Sequence, residues 1–222
     1  MLPRVVLHMG VSVDGRYDWT VAEDSPYYEI VQLLEADADL SGSRTMLTAY
    51  LPDDPKTAFP GVYERWAKIP TRPLLAIVDS QGQIQNWDVI KRQPWWRTAV
   101  ALCSHSTPQS YRDDLQQQGV DTIVAGDDRV DLRVALEELR ARYQVRVLRV
   151  DSGGVLNGVL LRAGLVDEVS IVISPELVGG TTPNSVFIAP DLSSASGVIP
   201  LKLLHVSNVK EDFVWLRYEV VR

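Results

Sequence analysis

The stretch from Val145 to Asn157 constrains the fold of this chain more than any other part of its sequence. An apolar run of strand length, Val145 to Val150, leads into Gly153 and Gly154, where a helix begins. A second apolar run, Val169 to Ile173, follows that helix. A strand, a helix and another strand in this order are typical of α/β proteins, in which the two strands run parallel.

The same glycine pair predicts a ligand site. Glycine at a strand–helix junction permits a close approach to the backbone, and the first N–H groups of a helix have no partner within the helix. With the positive end of the helix dipole, those groups favour an anion such as a phosphate or pyrophosphate. The alternative is a tight turn that only lets the helix pack against the sheet.

Alternating strands and helices extend over most of the sequence. Strands are predicted at Val5–Met9, Leu74–Val78, Ala99–Cys103 and Ile123–Ala125, and helices at Pro26–Ala36, at Tyr111–Gln118 and after an N-cap at Asp131. The expected buried faces are Ile30, Leu33 and Leu34 in the first helix, and Leu156, Val159, Leu160 and Ala163 in the helix after Gly154.

The C-terminal part has a different pattern. Leu201–Val206 and Val214–Val220 predict an antiparallel hairpin, and the alternation of Val214, Leu216, Tyr218 and Val220 with polar neighbours predicts one buried face. The stretch between Gly179 and Pro200 predicts a surface loop. We therefore expect a single α/β domain over residues 1–222, with a mostly parallel central sheet, flanking helices and an antiparallel C-terminal hairpin.

Composition excludes several classes of protein. A net charge of −7 argues against a nucleic-acid-binding surface, and no apolar run reaches the roughly 20 residues of a membrane helix. The single cysteine, Cys103, excludes an internal disulfide, and the three histidines lack metal-ligand spacing, so we expect no metal site. These features predict a cytoplasmic protein.

Three tryptophans lie close to basic side chains. Trp87, Trp95 and Trp96 flank a segment with Lys91, Arg92 and Arg97. Packing or a subunit interface explains such a group, since tryptophan is enriched in both. The alternative is a wall on which a ligand stacks.

Four local patterns occur in the order found in one known family. They are Gly10–Arg16 (GVSVDGR), Asp37–Thr45 (DADLSGSRT), Val78-Asp79-Ser80, and Asp151–Asn157 (DSGGVLN) followed by Gly164–Glu168 (GLVDE), Ser174-Pro175 and Gly179-Gly180. On these residues the chain resembles the riboflavin-biosynthesis reductases, and the last pattern is the most specific.

The resemblance implies a dihydrofolate-reductase-like fold, NADPH as cofactor, a homodimer, and a pyrimidine ribosyl phosphate as substrate. By position, the cofactor contacts would be Gly10, Thr45, Asp79, Ser80, Ser152, Gly153, Gly154, Val155 and Leu156, and the catalytic residues Asp151 and Ser12. Gly10 and Ser12 would lie where the nicotinamide meets the substrate. The candidate partners for a 2′-phosphate are Arg129, Lys91 and Arg92.

The chain departs from the family pattern on the substrate side. Asp151 replaces a glutamate, Leu34 and Glu35 stand where the family has an arginine, and Asp53-Asp54-Pro55 comes later than expected. The substrate-phosphate arginines have no clear counterparts, although Lys56, Arg65 or Arg44 could substitute. Two alternatives therefore stay open, a reductase of another small heterocycle such as a pterin, and a nucleotide-binding protein without catalysis.

Overall fold

A computed structural model of the chain describes residues 1–18, 25–49, 71–181 and 184–222. In chain order its elements are β1 (Arg4–Ser12), α1 (Tyr27–Leu33), β2 (Ala38–Gly42), α2 (Ser43–Ala49), β3 (Leu74–Val78), α3 (Trp87–Lys91), β4 (Thr98–Cys103), α4 (Gln109–Gln117), β5 (Asp121–Val124), α5 (Leu132–Tyr143), β6 (Val147–Val150), α6 (Gly154–Arg162), β7 (Glu168–Ser174), a 3₁₀ turn (Ala195–Gly197), β8 (Leu201–Lys210) and β9 (Phe213–Val220). The parallel strands and the antiparallel C-terminal hairpin confirm the predicted mixed α/β fold class.

Two compact units share these elements, and the first comprises residues 1–3 and 36–148. Its strands β2, β3, β4 and β5 pair in that order, each parallel to the next. Trp87 and Trp96 are buried in its core, at 0% and 6% exposure, so the packing interpretation of the tryptophans is confirmed. The predicted cap of α5 is also confirmed, because the Asp131 carboxylate accepts a hydrogen bond from the Val134 backbone N–H at 3.1 Å.

The second unit comprises residues 4–35 and 149–222, so the boundary between the units falls within β6. Here β1 pairs in parallel with β7, β7 pairs antiparallel with β9, and β9 pairs antiparallel with β8. A small core of Ile30, Val172, Phe213 and Trp215 lies beside this sheet. None of the helices in the described ranges has the length and apolar character needed to span a membrane.

The predicted buried face of α1 is wrong at one residue and the helix is shorter than expected. Leu33 is 67% exposed, whereas Ile30, Val31 and Leu34 are buried. Val31 occupies the inward position that the periodicity gave to Leu33. The helix stops before Ala36 because Glu35 adopts a left-handed backbone conformation, with φ 47°.

The predicted buried face of α6 is right at Leu160 but wrong at two residues. Val159 and Ala163 are exposed, and the buried positions belong to Gly154, Asn157, Gly158 and Leu160. The cause is residues 184–189, here called the strap, which lie along this side of the helix. The Ile188 backbone N–H donates to the Gly154 carbonyl at 2.9 Å, and a Cβ on Gly158 would lie 1.9 Å from the Ile188 carbonyl oxygen.

The hairpin is confirmed, but its buried face is displaced by one residue. Phe213 and Trp215 are buried, whereas Val214 and Leu216 are only half-buried. The Trp215 indole N–H donates to the Ser170 hydroxyl at 2.9 Å. The aromatic ring can therefore be buried on the inner side because its polar atom has a hydrogen-bond partner there.

Candidate active site

The structure places the predicted site residues in two groups, one in each unit. Gly10, Ser12 and Asp151–Leu156 belong to the second unit, and Thr45, Asp79 and Ser80 belong to the first.

The start of α6 is accessible from solvent. Gly153 is the N-cap residue in extended conformation, at φ −68° and ψ 162°, and the nine-residue helix begins at Gly154. Gly153 is half-buried and Val155 is 56% exposed. The helix end, with its partial positive charge, is therefore open to an anionic ligand.

Gly154 has a second role that the sequence pattern did not reveal. A Cβ at this position would lie 2.0 Å from the Ser185 carbonyl oxygen and 2.8 Å from the Ile188 side chain. The space left by its missing side chain is therefore filled by the strap. The sequence pattern predicts that a ligand approaches the backbone closely at Gly154. In the structure, residues of the strap make that close approach.

Asn157 connects the strap to the loop that precedes α6. Its side chain is fully buried, and its amide N–H groups donate to the Ser152 carbonyl at 3.2 Å and the Val186 carbonyl at 2.9 Å. Ser152 is itself buried. Because one rigid amide bonds both segments, the strap and the loop from Asp151 to Gly153 are positioned together.

Asp151 lies just beyond the end of β6 with its side chain 43% exposed, and it can be reached by a ligand. The Arg149 guanidinium is 3.8 Å from the Asp151 carboxylate, and the arginine side chain is only 6% exposed. Such an ion pair between a buried and a partly exposed group fixes the orientation of the exposed partner.

Tyr27, which the sequence interpretation treated only as part of a helix, lies near the same carboxylate. Its phenol donates to the His8 backbone carbonyl at 3.4 Å, and burial first and the Asp151 charge second raise the pKa of Tyr27 well above its usual range. Its ring stacks on His8 with centroids 4.4 Å apart, and its Cδ2 would be 3.5 Å from a Cβ on Gly10. Tyr27 therefore lies between Gly10 and Asp151, two of the predicted site residues.

His8 is a neutral residue of the core. It is 0% exposed, and its Nδ1 is 2.9 Å from the Ser170 hydroxyl. Burial, with a smaller contribution from the Arg149 charge, lowers the pKa of His8 to about 3. The imidazole is thus uncharged at neutral pH and serves as a packing surface for Tyr27.

The Ser12 hydroxyl is held within a turn. It donates to the Asp14 carboxylate at 2.6 Å and accepts from the Arg16 backbone N–H at 3.0 Å. The Asp14 carboxylate also accepts from the N–H groups of Val178 and Gly179, and these bonds, led by that of Ser12, lower the pKa of Asp14 to about 2. The only hydroxyl proton of Ser12 is thus used inside the protein.

In the first unit, the Asp79 carboxylate organises the turn after β3. It accepts from the backbone N–H groups of Gln83 and Ile84 at 3.0 and 3.1 Å and from the Tyr111 hydroxyl at 2.8 Å. Burial and then the Asp79 charge raise the pKa of Tyr111. With all these bonds and 1% exposure, the Asp79 side chain holds the turn after β3, and its role in cofactor binding stays a prediction.

Ser80 and Thr45 are the remaining predicted contacts of the first unit. The Ser80 hydroxyl accepts from the Val130 backbone N–H at 3.1 Å, which ties the turn after β3 to the loop after β5. Thr45 is half-buried in the first turn of α2. Roles for both residues in cofactor binding stay predictions.

The basic residues proposed as partners of the cofactor 2′-phosphate or the substrate phosphate differ in their surroundings. Arg129 is exposed in the loop after β5, Lys91 donates to the Gln118 carbonyl, and Arg92 lies 3.7 Å from Asp88. Arg44 is exposed on α2. The segment Asp53–Pro55 and the candidates Lys56 and Arg65 lie outside the described residues.

Comparison with solved structures defines the class of protein to which this fold belongs. The structure of RibD from Acinetobacter baumannii covers 99% of the chain, with a TM-score of 0.71 and 19% identity, and the chain covers 58% of that protein. The riboflavin biosynthesis reductase Rib7 of Saccharomyces cerevisiae matches with a TM-score of 0.67 and 21% identity. The match covers 99% of this chain and 90% of the Rib7 chain. The fold is that of the riboflavin-biosynthesis reductases.

Sequence comparison identifies the family. The model of the RibD C-terminal domain matches residues 3–215, and the chain belongs to that family of oxidoreductases. The 2,5-diamino-6-ribosylamino-4(3H)-pyrimidinone 5′-phosphate reductase of Methanothermobacter thermautotrophicus is 26% identical over 217 residues, 96% of this chain and 97% of its own length. The riboflavin biosynthesis protein RibD of Escherichia coli is 28% identical over 231 residues, and the chain spans 58% of its length.

Proposed function

We propose that the protein is an NADPH-dependent reductase that converts the ribosylamino group of 2,5-diamino-6-ribosylamino-4(3H)-pyrimidinone 5′-phosphate to the ribityl form. The observation that carries this proposal is the family match over residues 3–215, together with an archaeal relative of that activity that matches along nearly its whole length. The predicted fold and the open start of α6 agree with it.

The chemistry requires little acid–base strength from the protein. NADPH supplies the hydride, so the principal task of the chain is to hold the acceptor carbon close to the nicotinamide. Asp151, partly exposed and oriented by Arg149, is placed to accept hydrogen bonds from hydroxyl or amino groups of the substrate. Asp151 therefore acts by orienting the substrate.

For the pyrophosphate of the cofactor we propose the first turn of α6. Gly154 is buried under the strap, whereas Val155 is 56% exposed at this helix end. The backbone N–H groups of a helix's first turn point toward its start, as in other anion sites of this kind.

A charge placed on this turn tests the proposal without harming the fold. Val155→Glu adds a carboxylate at an exposed position of the first turn, where a negative charge stabilises a helix. The same charge repels a pyrophosphate, and we expect NADPH affinity measured by calorimetry to fall about tenfold or more. The matched control is Val159→Glu, one turn later and 51% exposed, which should change the affinity less than threefold.

Equal effects of the two substitutions, or no effect of either, would place the pyrophosphate away from α6. Retained thermal stability of Val155→Glu distinguishes lost binding from unfolding.

We further propose a homodimer formed through β8. This strand exposes Leu201, Leu203, Leu204 and Val206 at 46–55%, and it is the outermost strand in the sheet of the second unit. A row of exposed aliphatic side chains on an edge strand is typical of an association surface. Sedimentation velocity at micromolar concentration should give about twice the mass of the 24.8 kDa chain.

A further inference from the structure

We infer that Asn157 is a positioning residue for cofactor binding, whose side-chain amide, acting with the strap, holds the start of α6 in place beside the turn that carries Ser12. This inference rests on the proposed NADPH site at α6 and deepens it. The strap, residues 184–189, lies outside all four family patterns in the sequence, and it connects the first of them to the last.

The first observation is that one side chain bonds two segments on the buried side of α6. The Asn157 amide donates to the Ser152 carbonyl at 3.2 Å and to the Val186 carbonyl at 2.9 Å. In return, the Ile188 backbone N–H donates to the Gly154 carbonyl at 2.9 Å. Because a peptide unit is planar, holding one carbonyl fixes the orientation of the whole unit that leads into the helix. The strap therefore holds the turn before α6.

The second observation is that the first residues of the strap are bonded to the turn after β1. An isolated antiparallel bridge pairs Ser185 with Arg16, and the Asn184 side-chain amide donates to the Asp18 carboxylate at 2.8 Å. The Arg16 backbone N–H in turn donates to the Ser12 hydroxyl at 3.0 Å. A continuous series of bonds therefore joins the turn at Ser12 to the start of α6.

The third observation is that the Asn157 amide is only partly satisfied. Its side chain is fully buried and both of its N–H bonds are used, but its Oδ1 has no hydrogen-bond partner within the part of the chain that the structure describes. A buried acceptor without a partner is unfavourable for folding. Packing alone therefore does not favour this side chain, and its contribution is the two bonds that it donates.

These bonds matter for binding because a turn that is already ordered loses less conformational entropy when a ligand binds. Without them, NADPH has to order the turn and the strap itself, so the affinity falls. Once NADPH is bound, the geometry is largely restored, so kcat at saturating NADPH changes little. The effect expected for Asp151 is the opposite, since that carboxylate is proposed to orient the substrate.

The test removes the bonds at the two ends of the strap. Asn157→Ala should raise the Kd of NADPH about tenfold and the KM for NADPH with it, while kcat at saturating NADPH changes less than about threefold. Calorimetry well below the unfolding temperature measures the Kd, which a loss of stability alone leaves unchanged. The matched control is Asn208→Ala, which removes an asparagine bond to the Glu211 backbone carbonyl near the β8–β9 turn and should keep the wild-type Kd.

A second variant tests whether the strap transmits the effect. Asn184→Ala removes the bond to Asp18, and its position is only half-buried. We expect it to raise the Kd of NADPH by about threefold. If both substitutions loosen the same strap, the double variant binds NADPH little more weakly than Asn157→Ala, so the cycle is non-additive. If Asn157→Ala does not fold, the comparison of Asn184→Ala with Asn208→Ala decides.

An unchanged Kd of NADPH in either single variant, or additive effects in the double variant, would overturn this inference and leave the proposed function intact. A wild-type protein that binds no NADPH would overturn both.

Discussion

At the scale of single residues, the carboxylate of Asp151 has an ion-pair partner close to it in the chain, Arg149, and lies near a tyrosine that is distant in the chain. Arg149 and the loop before α6 come with Asp151 from the same motif, but Tyr27 comes from a helix more than a hundred residues earlier. The motif could therefore predict Asp151 and Gly153, but it could not predict the phenol. The available signal was a tyrosine pair at the start of α1, and Tyr27 also packs against the small core of the second unit.

His8 gives a residue-scale prediction for stability. Its pKa is about 3 in the folded protein and near 6.5 when unfolded, so below pH 6.5 the unfolded chain takes up a proton that the folded chain does not. Stability therefore falls as pH is lowered through this window, by about 2 kcal/mol from His8 between pH 7 and pH 5. Urea unfolding at a series of pH values measures the slope.

In His8→Gln that part of the slope should disappear. The control is His105→Gln at an exposed loop position, which should keep the wild-type slope. An unchanged slope in His8→Gln would mean that the imidazole is accessible to protons in the folded protein.

At the scale of elements, α6 shows what the hydrophobic pattern can and cannot predict. The existence of the helix and its start at the glycines followed from the sequence. The buried face did not, because apolar residues surround the helix and periodicity gives no preferred side. Small residues, Gly154 and Gly158, mark the true contact, since only they admit the strap.

This contact predicts an unusual sign for a helix substitution. Replacing a mid-helix glycine by alanine normally stabilises a helix by up to about 1 kcal/mol. A Cβ at Gly158 would lie 1.9 Å from the Ile188 carbonyl oxygen, so Gly158→Ala should instead destabilise the protein, by about 1–3 kcal/mol. Urea unfolding measures this, with Val159→Ala on the exposed side as a control of small effect. A stabilised Gly158→Ala would show that the strap does not pack on α6.

At the scale of the whole molecule, fold class was predictable because strand and helix periods alternate so regularly between β3 and β7. The phase of β9 was not, because its large aromatic residues, Phe213 and Trp215, alternate with aliphatic ones that fit a buried face equally well. Family membership then connects the fold to a reaction, and the proposed roles of Asp151 and α6 state how this chain would perform it.

The most direct test of the account is NADPH oxidation, followed at 340 nm, with 2,5-diamino-6-ribosylamino-4(3H)-pyrimidinone 5′-phosphate as acceptor. We expect substrate-dependent oxidation by the wild-type protein, with NADH and a pterin as weaker alternatives. We also expect Asp151→Asn to lose about 100-fold or more in kcat while its NADPH affinity stays within threefold. Oxidation with a pterin and none with the pyrimidine, or full turnover by Asp151→Asn, would contradict it.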